Sequence, residues 1–594
     1  VFVKHFIYLF LFLFTAPFLL AQDEEEVTVT ASLIDQNLSD LGDPVHVLSG
    51  VDLDDQGRAS LGESIDDLLG VSNADYGFAT GQPVIRGLSG SRVKILKNGM
   101  VSRDVAGIGA DHPIEIDMNN VQQIEVVRGP SSLLYANGGV GGIINIVDNI
   151  IARQDFDGLN ANVDFEKQSV NRGSVKAFGI TNNVKGINFN YSYENTDFEN
   201  FDVPDGAVMH SEEEHDEHEG EEDHDEHEEE EHHDEELGYL ENSDYERESH
   251  KFGFSVVEDW GYIGASANIL ETHFGIPYHG EGGGHGGHGD EEDHDEHEGE
   301  EDHDEHEDEE GHDAHEGERI FSVTDSNEVN VQGAYNFDSG AVKSINYFLR
   351  GTNYSLTEDH AEEGHDEHEG EEDHDEHEGE EDHDEHEDEH GHGEEGPTTF
   401  SNDSYEIGTI LDLSTSNLGQ KISFNLAKED QSIIGNEAFM NPTKSDEFTV
   451  GYFISKNFSD HHLDFGLRYD SVSRNGSITE REEHDEHEGE EDHDEHEGEE
   501  DHDEHEEEHG EQTFYNVDMS SASLALTYTY DIDENVKFLI GAASVERAPS
   551  ALELFMNGPH LATGRLETGD VNLNTERSNN CLLYTSDAAD EVSW

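Results

Sequence analysis

From Gly158 onward the chain is a series of segments, each about ten residues long, in which apolar and polar residues alternate. They include INFNYSYE, HKFGFSVVE, YIGASANILE, SINYFLRGT, KISFNLAKE and SLALTYTYD. Period-two alternation puts successive side chains on opposite faces of a strand, and Tyr- and Phe-rich segments of this length carry the strand signal of an outer-membrane barrel. Strands are predicted near 159–167, 173–181, 186–195, 248–257, 260–271, 322–337, 341–356, 400–413, 419–429, 444–456, 461–475, 513–530 and 536–548. Backbone can cross lipid only as a helix or as a closed sheet. Beyond the first residues nothing reads as a membrane helix, so the fold expected is a transmembrane antiparallel β-barrel.

The connections add a check. Those after the even-numbered strands are short: NNVK, DW, DSG, and the neighbourhoods of SNLG, FSDH and DIDEN. Four tracts rich in His, Asp and Glu, at 212–236, 279–318, 358–396 and 480–512, follow the third, fifth, seventh and eleventh strands. They therefore emerge on one side, which is the cell exterior if the first strand starts at the periplasmic face. The tracts hold most of the 40 histidines and more than half of the 144 acidic residues. They explain an apolar content of only 32% and a net charge of -115, values that over a whole chain would mean disorder. The remainder has an ordinary composition.

Such an acidic surface repels phosphate backbones and attracts cations, so divalent metal ions are expected partners and nucleic acid is not. The tracts repeat EDHDEHEGE, with His365, His368, His374, His377, His383 and His386 three and six residues apart. Imidazoles among carboxylates bind borderline divalent ions weakly and in number, which suits a metal-collecting antenna; repeat expansion into a solvated acidic brush is the alternative. Two HExxH strings, His386 to His390 and His505 to His509, lie inside these repeats and not on a rigid helix in a cleft, so no protease is expected. The single cysteine, Cys581, excludes an intrachain disulfide and a thiolate metal cluster.

At the start, Lys4 precedes an apolar run from Phe6 to Leu20, then Ala21 and the acidic stretch Asp23 to Glu26. This is the layout of a secretory signal peptide over 1–21. From Val27 to about Asn149 the sequence reads as a compact α/β domain with β-rich runs at 92–96, 121–127 and 141–147. Its glycines at 138, 139, 141 and 142 permit tight turns and close packing.

The segments PVIRGLSGSRVKILKNGM (83–100) and IEVVRGPSSLLYANGGVGGIINIV (124–147) resemble the plug domain of TonB-dependent outer-membrane receptors, and EEEVTVTAS (24–32) resembles their TonB box. The resemblance implies a TonB-box segment over 22–35, a plug over 36–150 and a barrel over 158–580 in the outer membrane of a Gram-negative bacterium. It implies that Val27, Thr28, Val29 and Thr30 pair as an added strand with the TonB energy-transducing complex. Barrels of such transporters have about 22 strands, so the thirteen predicted here would be a truncated barrel. The final CLLYTSDAADEVSW (581–594) is expected to be a non-native tail.

Three further places are similar to the outer-membrane zinc receptors of the ZnuD type. They are GADHPIEID (109–117), GIPYHGEGGGHGGHG (275–289) and ERAPSALELFMNGPHLATGRLETGDVNLNTERSNN (546–580). This resemblance implies a metal site from Asp111, His112 and His560, with Glu395 as the candidate for a glutamate near the eighth strand. Zinc accepts four imidazole and carboxylate ligands where thiolates are absent, and a mixed site can release its ion. The expectation is TonB-energised import of zinc, without enzyme chemistry and with zinc as transported ligand, not cofactor. Copper, nickel, a metal chelate or haem is the alternative cargo, and a surface metal-buffering or adhesion protein is the alternative class.

Overall fold

The computed structural model describes residues 28–29, 36–37, 45–49, 60–77, 80–109, 112–118, 121–127, 130–134, 138–204, 207, 238–277, 319–361, 396–435, 438–479, 511–532, 536–560 and 565–587. The acidic tracts fall outside these residues except at their margins.

The N-terminal domain is built on a five-stranded sheet. Its strands are β1 (Val45–Ser49), β4 (Val93–Lys97), β5 (Met100–Val101), β6 (Val121–Val127) and β7 (Gly142–Asp148), in the order β1-β6-β7-β4-β5. Strands β2 (Val71–Asp75) and β3 (Gly81–Ile85) form a separate antiparallel pair. Asn98 and Gly99, both at positive φ, make the tight turn between β4 and β5, as an Asn-Gly pair between strands predicts. Ile65, Ile85, Ile124, Val126 and Ile144 are buried in one apolar cluster beneath the sheet. Burial of each such side chain is worth about 1.5–3 kcal/mol relative to exposure, which holds this small domain together inside the barrel.

The second part is one antiparallel sheet of fourteen strands, each bonded to its sequence neighbour. They are β8 (Asn160–Lys167), β9 (Ser174–Val184), β10 (Ile187–Phe198), β11 (Tyr245–Glu258), β12 (Gly261–Gly275), β13 (Arg319–Asn336), β14 (Ser344–Ala361), β15 (Thr398–Asp412), β16 (Gly419–Ile434), β17 (Thr443–Phe458), β18 (His461–Thr479), β19 (Gln512–Asp531), β20 (Val536–Arg547) and β21 (Glu576–Asp587). The thirteen predicted strands are all present, and the tracts leave β10, β12, β14 and β18 at the same end of the sheet.

Strand β21 lies beyond the thirteen predicted strands and extends into the segment expected to be a non-native tail. The expected non-native tail begins at Cys581, yet the ladder to β20 continues through Leu582–Gly541 and Leu583–Ile540 to Asp587–Val536. The open edge of β20 needs a partner, and the segment alternates: Leu582 points inward, Leu583 outward.

Burial inverts the pattern of a soluble sheet. On β19, Leu524, Leu526, Tyr528 and Tyr530 are exposed, whereas Ser521, Ser523, Thr527 and Thr529 are buried. Apolar-out and polar-in alternation is what a lipid-facing barrel wall requires. No helix among the described residues is long and apolar enough to cross a membrane.

The polar inner face holds the N-terminal domain through buried charges. Arg103 lies 3.1, 3.5 and 3.7 Å from Glu429, Glu447 and Glu406 on three adjacent strands. Lys97 reaches Glu115 at 3.4 Å and the wall residue Glu328 at 3.6 Å. Arg350 donates from the wall to the carbonyls of Lys97, Met100 and Val101. Lys251 pairs with Asp117 at 3.0 Å. Gly138 also marks a close approach, because a Cβ there would come within 2.7 Å of the Arg547 side chain and its φ of +81 favours glycine.

Candidate metal site between plug and barrel

The segment from Lys97 to Asp117 is tied to the wall near both ends, and His112 sits in its irregular middle. Its imidazole is fully buried, at 0% exposure. Opposite stands His560, at 1% exposure, with the two ring centroids 5.5 Å apart and the planes 20° from parallel. Phe400 packs its edge on His112 at 4.8 Å and Phe439 lies 4.9 Å from His560, so aromatic walls keep water from both imidazoles.

His560 arrives from a different direction. After β20 the chain enters the short helix α1 (Ala551–Phe555), capped by reciprocal bonds between Ser550 and Glu553. Burial alone would raise the Glu553 carboxyl, but the paired Arg547 guanidinium and the Ser550 backbone N–H hold it down to about 2. The hairpin Asn557–His560 with Arg565–Thr568 follows. Its first residue donates its N–H to Phe439 O at 2.7 Å and its side-chain amide to Thr479 O at 2.8 Å, which fixes the hairpin to the connection between β16 and β17 and to the end of β18.

A third polar group completes the cluster. Glu358, near the end of β14 and 6% exposed, has its Oε1 3.8 Å from His112 Nδ1. The sequence reading missed it, because position 358 was assigned to the acidic tract when it belongs to the strand. The signal was present in the inward register of Arg350, Thr352, Tyr354 and Leu356, all buried, which continues to Glu358.

The structure thus brings together the predicted His112 and His560 and adds Glu358. Asp111 and Glu395 lie outside the described residues, as do Val27 and Thr30. Thr28–Val29 forms a two-residue ladder with Gln36–Asn37. Among the described residues, no group of three or more His, Cys, Asp or Glu side chains is positioned to hold a metal ion as it stands. The described cluster is two imidazoles and one carboxylate, drawn from three elements, and zinc ordinarily takes four such ligands.

A cavity of about 170 Å³ borders the same segment, lined by Gln82, Lys94, Arg103, Asp104, Glu429 and Glu447 among others. Burial pushes the Lys94 ammonium down to about 8 and the Asp104 carboxyl up from its ordinary value.

Comparison with known proteins agrees with this architecture. The TonB-dependent Receptor Plug Domain model matches residues 37–143, and the TonB dependent receptor-like β-barrel model matches residues 303–580. Among solved structures, the copper transporter OprC is similar with a TM-score of 0.59 at 12% identity, over 91% of this chain and 69% of that one. The hemophore receptor HasR of Serratia marcescens, a double mutant in complex with its hemophore HasA and heme, gives 0.61 at 9% identity, over 92% and 70%. The FrpB iron transporter of Neisseria meningitidis (F3-3 variant) gives 0.57 at 11%, over 91% and 70%. Identities this low establish a shared fold and say nothing of cargo. With a plug seated inside a lipid-facing sheet, and both halves matched by their family models, this chain belongs to the TonB-dependent receptor family.

Proposed function

We propose that this receptor imports zinc across the outer membrane in a TonB-dependent manner, with the ion held between His112 of the plug and His560 and Glu358 of the barrel. The observation that carries this reading is the burial of two facing imidazoles beside a carboxylate. A divalent cation is well matched to two imidazoles and a carboxylate that plug and barrel bring together away from water. Asp111, next to His112 in the chain, is the proposed fourth ligand.

The division of the ligands supplies a release mechanism. His112 belongs to the plug, and His560 and Glu358 belong to the barrel, so any displacement of the plug separates them and lowers the affinity. The segment around Val27, Thr28, Val29 and Thr30 is the proposed handle. Its short ladder to Gln36–Asn37 ties this segment to the start of the plug, so a strand added by TonB would pull on the plug's N-terminal end. The tracts share the end of the barrel that carries Glu358 and His560, and there they would raise the local concentration of cations.

Copper is the second reading, favoured by the buried Met440 and Met556 in the apolar cluster that includes Phe400 and Phe439. Thioethers are soft ligands that select Cu(I). Nickel, a chelate and haem have no comparable observation in their support.

Metal uptake by cells carrying the complete receptor, from metal-buffered medium, tests the proposal. Zinc uptake is expected to require TonB and to fall by about tenfold or more in Glu358→Gln, since even supporting residues of metal sites carry effects of that size. Uptake independent of TonB, or unaffected by Glu358→Gln, would contradict it. Uptake of copper in preference to zinc would move the assignment to the second reading.

A further inference from the structure

Among the described residues of the loop that carries His112, from 104 to 109 and 112 to 115, the one backbone turn bond within it is Ile108 N–H to Val105 O. Two side chains, the buried Gln82 and the half-buried Asp104, take over the rest. Gln82, on plug strand β3, directs its amide nitrogen at three carbonyls of this loop: Ala106 at 2.7 Å, Gly109 at 2.7 Å and His112 itself at 3.1 Å. At the base of the loop, Asp104 accepts from the backbone N–H of Ala106 at 3.1 Å and of Glu115 at 3.2 Å, with the Ser102 hydroxyl also at 3.2 Å. One side chain gathers the carbonyls and the other gathers the amides.

We infer that Gln82 and Asp104 are positioning residues for the bound cation, holding the loop in the shape that presents His112 to His560 and Glu358. The inference rests on the proposed metal site and deepens it. A primary amide has two protons, so three carbonyls share them, and the loop closes around a single donor atom. Without that donor the carbonyls of Ala106, Gly109 and His112 repel one another and must turn elsewhere, rotating the peptide that carries the imidazole. Asp104 sits next to Arg103, whose guanidinium is fixed by wall glutamates, and its carbonyl accepts from Asn402 of β15 at 3.0 Å. The loop is therefore referenced to both bodies: to the plug core through Gln82 and to the barrel through residues 103 and 104.

The test uses the complete receptor carrying Gln82→Met, similar in length and lacking the donor, with Asp104→Asn as a second variant should the first not assemble. Two quantities are read: zinc affinity by competition with a chelator, and hydrogen exchange of the backbone amides in 104–115 of the metal-free protein. Gln82→Met is expected to weaken zinc binding about 10- to 100-fold, the usual effect of losing a residue that orients a ligand. It should also speed exchange in 104–115 while the plug core over 121–148 keeps its protection. Unchanged exchange in both variants overturns the inference, and so does unchanged affinity in a receptor whose loop has loosened. A parent receptor that binds no zinc at the His112 site overturns the proposed function instead, and the exchange measurement then still decides whether Gln82 shapes the loop.

Discussion

Zinc binding at the tight site is expected to weaken more than a thousandfold when His112 and His560 are both replaced by Ala. A four-ligand zinc site is worth about 10–16 kcal/mol, so each ligand carries roughly 3 kcal/mol and the loss of two costs about 6. The effect on folding is smaller in kind. Both rings contact aromatic neighbours, Phe400 and Phe439, and truncation leaves small voids at one end of the barrel. Competition titration with a strong chelator resolves this site from the tracts, which are expected to bind any ions only weakly. An affinity within tenfold of the parent would mean that the two imidazoles hold no ion.

The second large effect is expected at Arg103. Its guanidinium is 7% exposed and serves Glu406, Glu429 and Glu447 together, with Arg474 paired to Glu447 and the Lys94 ammonium acting on Glu447 and Glu429 from further off. Arg103→Met leaves buried carboxylates without their counter-charge, a change that typically costs 3–5 kcal/mol. Because the pairs join plug to wall, the cost falls on docking of the plug and not on the barrel. The expected result is a plug that a protease cleaves in the folded receptor, with the barrel's thermal transition little altered. Arg103→Lys, which keeps one charge but cannot span three acids, should be intermediate. A plug in Arg103→Met as resistant as in the parent would show that this cluster does not hold it.

The barrel was legible because lipid imposes a strict code. Strand after strand, from Asn160–Lys167 to Val536–Arg547, follows period-two alternation, and short and long connections alternate as the antiparallel order requires. The plug was legible from its β-rich runs and glycine punctuation together with family resemblance. Glu358 was hidden by composition, one acid at the margin of a tract of acids, and only the inward register of β14 separates it from the rest. Arg103 and Gln82 were hidden for a different reason. Their partners lie about 300 residues away on the wall in one case, and are backbone carbonyls in the other, neither of which leaves a local pattern. Strand β21 was not among the predicted strands, since its pairing to β20 depends on backbone and alternation and leaves the origin of residues 581–594 untouched.

Zinc import through this receptor, as proposed, requires one ion held where plug and barrel meet. Anomalous diffraction from crystals of the complete receptor grown with zinc, recorded on both sides of the zinc absorption edge, tests it directly. A peak is expected about 2.0–2.2 Å from ring nitrogens of His112 and His560 and from a carboxylate oxygen of Glu358. Zinc found only along the acidic tracts, with nothing between the two histidines, would contradict it.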